Sequence, residues 1–141
     1  MSQLANIHTA IAKQVKRVLG NSVNVAGWPY SGVSLPRIEV WPDNEYNDPY
    51  GDSDDDAGPT RVNLTLRLQI ATGQPEDAHR LMTTLLGWEA GSIRAALMSD
   101  RKLGGVCDDL LVSGPVMWDT DADSQAQGGW VPVTVYVQKE N

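Results

Sequence analysis

Phenylalanine is absent from this sequence, so five tryptophans and four tyrosines carry all of its large aromatic volume. Cysteine is nearly absent too. Cys107 stands alone, which excludes an internal disulfide and a cysteine-built zinc cage. No apolar run approaches the roughly 20 residues that a membrane-spanning helix needs. The first residues are polar and amphipathic, with Lys13, Lys16 and Arg17 late in the stretch, so no secretion signal is expected and a cytosolic protein is.

Clusters of basic residues are missing as well. Between Arg37 and Arg61 there is no base at all, while residues 43–56 hold Asp43, Glu45, Asp48, Asp52, Asp54, Asp55 and Asp56. These seven of the 18 acids account for the whole net charge of −7, leaving 11 acids against 11 bases elsewhere. A body of balanced charge therefore carries one acidic segment. Stable nucleic-acid binding uses clustered Lys and Arg to displace counterions from phosphates, so specific DNA binding is not expected.

The motifs of common catalytic sites are missing too. There is no Gly-x-Ser-x-Gly elbow, phosphate-binding glycine loop or His-Glu-x-x-His. His8 and His79, the only imidazoles, each fall on an expected helix beside polar positions and read as surface residues without a positioned partner. Cys107 reads as a structural thiol. Asp52-x-Asp54-x-Asp56 and Asp119-x-Asp121-x-Asp123 have the first spacings of a calcium loop. Both then fail, with Ala57 and Ser124 where the loop needs Gly, and Asn63 and Trp130 where it needs Glu. They read as solvated acidic loops. No enzyme activity is expected, and no catalytic, cofactor-binding or metal-binding residue is assigned.

What is present is periodicity. Leu4, Ile7, Ile11, Val15, Val18 and Leu19 keep helical spacing over residues 2–19, with Ser2 placed to cap the start and Gly20 to end it. Residues 21–36 read as a loop broken by Gly and Pro. Residues 37–41 alternate as a short strand that Pro42 should stop, followed by a polar loop over 43–58. Residues 61–71 give the clearest pattern, with Val62, Leu64, Leu66, Leu68 and Ile70 on one face and Arg61, Asn63, Thr65, Arg67 and Gln69 on the other.

Pro75, Glu76 and Asp77 open a second helix with Ala78, Leu81, Met82, Leu85 and Leu86 on its apolar face. Ser92 is placed to recap a segment carrying Ile93, Ala96 and Leu97. Strands are expected over about 106–118 and 129–138, the last setting Val131, Val133, Val135 and Val137 against Trp130, Thr134 and Tyr136. The order α-β-β-α-β-β predicts one α+β domain over residues 1–141, with an antiparallel-rich or mixed four-stranded sheet and two helices packed on one face. The uncovered face would expose Trp41, Arg61 and Arg67, with Tyr136 a further candidate, a mixed aromatic and polar surface that calls for a protein partner. Tyr46 and Tyr50, in an otherwise acidic segment, are placed to dock on another chain. Trp41, Arg61, Arg67, Tyr46 and Tyr50 are the candidate subunit-interface residues.

Several local phrases, taken in order, resemble the tail terminators of long-tailed, siphovirus-type phages, the lambda tail terminator family among them. They are Leu35-Pro36-Arg37-Ile38-Glu39-Val40 entering a short strand, the acidic Asn44-Glu45-Tyr46, and the long alternating strand 61–71. The phrase from Asp100 through Gly104-Gly105 to Asp108-Asp109-Leu110 follows, and then a closing strand ending Val133-Thr134-Val135-Tyr136-Val137. The resemblance implies a homo-oligomer, a hexameric ring that stops growth of the tail tube and offers a surface to the neck proteins of the filled head. It implies contacts with the tail tube protein and the head–tail connector, assembly in the host cytoplasm, and a place in the virion at the head-proximal end of the tail. DNA would pass through the ring without specific binding, which a net negative conduit permits. Two other readings compete: a head–tail connector ring of the same machine, and a calcium-dependent binding module using the Asp-rich loops.

Overall fold

A computed structural model of the chain describes residues 2–49, 59–71, 75–120 and 126–138. The first helix, α1 (Gln3–Leu19), begins where the Ser2 hydroxyl accepts a hydrogen bond from the Ala5 amide at 3.0 Å, and it closes on Gly20 at φ 66°. Its buried stripe is Ile7, Ile11, Val15 and Leu19. A three-residue strand, β1 (Asn24–Ala26), then runs parallel to β2 (Arg37–Pro49). β3 (Pro59–Ala71) pairs antiparallel with β2 on one side and with the last strand, β6 (Ala126–Gln138), on the other. Between β3 and β6 come α2 (Pro75–Leu86), α3 (Ile93–Met98), β4 (Asp109–Val112) and β5 (Met117–Thr120).

The domain is α+β, but richer than the expected four strands and two helices. Among the described residues the sheet has six strands in the order β1-β2-β3-β6-β4, with β5 also on β6, and there are three α-helices. Each added element has a local cause. β1 lies inside the expected loop 21–36 and is too short to show an alternation. The expected strand 106–118 is two strands, because Gly114 and Pro115 interrupt the ladder: proline has no amide hydrogen to donate. β4 then pairs with the Val133–Tyr136 end of β6, and β5 with the Gln127–Trp130 end. Ser92 starts a separate helix, its hydroxyl accepting from the Ala95 amide at 3.0 Å.

Pro42 does not stop β2. The strand continues, but its register with β3 breaks between Pro42 and Asn47, so residues 43–46 leave the ladder. The expected loop 43–58 is thus strand over 43–49, while residues 50–58, with Tyr50 and the Asp52, Asp54 and Asp56 series, lie outside the described residues. So do Asp121 and Asp123.

The alternation in β3 holds throughout. Val62, Leu64, Leu66 and Leu68 are fully buried, against Val131, Val133 and Val135 of β6 and Ile38 and Val40 of β2. The helices cover this face with Ile7, Ile11, Val15, Met82, Leu85, Ile93 and Leu97. Leu81, expected in the core, is only partly buried. Gln14 ties α1 to α3 from inside: its side-chain amide donates to the carbonyls of Ala96, Leu97 and Asp100, each at 3.0 Å.

Candidate functional site

The other face of the sheet carries Arg37, Glu39 and Trp41 from β2, Arg61, Asn63, Thr65, Arg67 and Gln69 from β3, and Trp130, Thr134 and Tyr136 from β6. Register brings the aromatic and basic groups together. Arg67 sits opposite Glu39 on one side and Trp130 on the other, one step from Trp41. Its guanidinium carbon lies 5.0 Å from the centre of the Trp41 ring and 6.0 Å from that of Trp130, within cation–π range of both. Tyr30, 87% exposed on the loop before β2, meets the Trp41 ring edge-on at 4.9 Å.

Glu39 organises the same end of the face from beneath. Its carboxylate accepts from the Ser31 amide at 2.8 Å, the Ser31 hydroxyl at 2.6 Å and the Trp41 indole N–H at 3.2 Å. Burial works to raise its pKa, but these donors and the charge of Arg37 outweigh it and hold the carboxyl below its ordinary value. Arg37 is itself satisfied, donating to the Gln69 side-chain oxygen at 2.9 and 2.6 Å and to the Val33 carbonyl at 3.1 Å.

The opposite end of the face is polar and acidic. Here a cleft of about 540 Å³ is lined by Asp43, Glu45, Asp48, Arg61, Asn63 and Thr134, among others. Arg61 pairs with Asp48 at 2.6 Å, and Asn63 donates to the Glu45 carbonyl at 2.6 Å. Asp43 and Glu45 are exposed, and neither carboxylate has a cationic partner among the described residues. The register break after Pro42 is what turns them out of the ladder.

Of the five expected interface residues, the structure brings Trp41 and Arg67 into one cluster and places Arg61 at the acidic end. Tyr46 is engaged within its own chain, and Tyr50 lies outside the described residues. The Tyr46 hydroxyl is 2.6 Å from His8 Nε2, while His8 Nδ1 is 2.8 Å from the Gly27 carbonyl. A carbonyl only accepts, so Nδ1 carries the hydrogen, and in the neutral ring Nε2 accepts from Tyr46. Trp28 stacks on the same imidazole at 4.2 Å, with the rings 4° from parallel.

His8 is therefore not a surface residue: it is 1% exposed and packed between α1, the loop and β2. Its burial was illegible because all three partners are distant in sequence. His79 is exposed on α2, with its ring edge-on to Trp118 at 5.6 Å. Cys107 is buried, and burial, with Asp108, Asp109 and Asp100 nearby, pushes its thiol up to about 11. Among the described residues no group of three or more His, Cys, Asp or Glu is placed to hold a metal ion. No helix among them is long and apolar enough to cross a membrane.

The alternation of β6 set Trp130 opposite the buried valines, as the structure does, although Trp130 was not among the expected interface residues. Glu39 and Tyr30 were missed as parts of this face, and for Tyr30 the sequence carries no signal. No protein-family model matches the chain, and no curated protein matches it.

Proposed function

We propose that this chain is a structural virion protein, a phage tail terminator that closes into a ring on the head-proximal end of a tail tube. The observation that carries the proposal is the uncovered sheet face. The described helices cover one side of the sheet, while the other presents two indoles around an arginine at one end and acids at the other. Such a face is built for protein contact, and unlike patches on a single subunit are what a closed ring uses.

The ring, a hexamer in the form that the resemblance implies, would end polymerisation by covering the last tube subunits. Its other side would receive the connector and neck proteins. In this reading surfaces do the work: no substrate bond is made or broken, no cofactor is used, and DNA passes an acidic ring without sequence readout. Assembly takes place in the host cytoplasm.

Polymerisation of the cognate tail tube protein, with and without the chain, tests this directly. Tubes should stop growing, and electron microscopy should show a ring at one end. A ring found only between head and neck components would favour the connector reading. Unchanged tube growth with bare ends would reject both the capping step and the assignment.

A further inference from the structure

We propose that neighbouring subunits are joined by a carboxylate of one copy, from Asp43 or Glu45, docking on the Arg67 guanidinium of the next, between Trp41 and Trp130. The inference rests on the ring-forming reading above and supplies its contact. Three arginines lie on the uncovered sheet face, and two are already used. Arg37 is held by Gln69 and Val33, and Arg61 by Asp48. Arg67 has no hydrogen-bond or ion-pair partner among the described residues.

Two indoles lie within cation–π range of the guanidinium, and no described side chain or backbone group accepts a hydrogen bond from its N–H donors. A planar fork of donors, held in place beforehand and partly shielded from water, matches a planar acceptor with two oxygens. A carboxylate has that shape. A nucleic-acid phosphate suits the site poorly, because Glu39 lies next to Arg67 and the chain carries a net charge of −7.

The matching carboxylates sit at the other end of the same face. Asp43 and Glu45 are exposed and lack cationic partners among the described residues. The Glu45 carbonyl rests on Asn63, which precedes Arg67 on β3 by roughly 13 Å at the usual rise per residue. No ion pair among the described residues joins Arg67 to Asp43 or Glu45, so these charges stay unmatched within one subunit. Placed head to tail, each copy presents its basic end to the acidic end of the next. In that arrangement, as opposed to a twofold pairing of the two faces, the contact is heterologous, the kind from which rings are made.

Sedimentation of four forms tests the contact: the wild type, Arg67→Glu, the pair Asp43→Lys and Glu45→Lys, and all three changes together. Melting curves report folding. Each one-sided reversal should weaken subunit association by roughly 100-fold or more, as loss of a shielded charge pair does. The combined form should recover assembly, because every junction again joins opposite charges. Arg67→Glu assembling like the wild type would overturn the contact while leaving the ring intact. So would normal assembly of the Asp43→Lys and Glu45→Lys form. If Arg67→Glu fails to fold, the exposed Asp43 and Glu45 changes decide alone. A wild type that stays monomeric at every concentration, and with tube ends present, would overturn the ring and the contact together.

Discussion

His8 joins three separate parts of the fold: α1, the Gly27–Trp28 loop and β2. Burial holds its imidazole below the ordinary value, with the Gly27 carbonyl partly offsetting this. The unfolded chain therefore takes up the proton more readily than the folded one. The resulting stability is complete above about pH 6.5, the ordinary imidazole value, and is lost as pH falls through it toward the lower folded value. Urea midpoints should drop from about pH 7.5 to about pH 5, and by less in His8→Gln. Equal drops in the two proteins would place the sensing group elsewhere. Leu66 is a simpler case, fully buried at the centre of β3. Leu66→Ala should cost about 2–5 kcal/mol in the same measurement, the range for a leucine removed from a packed core.

At the scale of elements, legibility followed how local the cause was. α1 and β3 were readable because each writes its own period and, for α1, its own cap within a few residues. β2 was readable over residues 37–41 but not beyond, because its continuation past Pro42 depends on β3 accepting it again at Asn47. The split of residues 106–118 between two strands is decided by β6, whose edge holds both pieces end to end. The candidate site divided the same way. Trp41, Arg61, Arg67 and Trp130 were each placed by the alternation of their own strand, whereas the meeting of Trp130 and Glu39 with Arg67 comes only through register. Gln14 was silent in sequence, yet its amide is the donor to three carbonyls at the end of α3. Gln14→Leu should lower stability by about 1–3 kcal/mol, since those carbonyls lose a buried donor. Amide exchange should quicken first around residues 96–100. A loss spread evenly over the chain would deny Gln14 this local task.

At the scale of the molecule, position along the chain and position in the sheet run against each other. β6 is the last of the described elements, yet it is the strand against which β3, β4 and β5 all pair, and it supplies Val131, Val133 and Val135 to the core. Seen during translation, that order sets a schedule. Ribosomes add roughly 5–20 residues per second, so β3 waits several seconds before its second neighbour emerges. Throughout that interval one edge of β3 offers unpaired backbone groups beside an apolar face. The hairpin of β2 and β3 can form early, but the sheet closes only when residues 126–138 have left the ribosome. This domain completes its fold after synthesis of its last strand, and until then the open side of β3 is where a chaperone has most to hold.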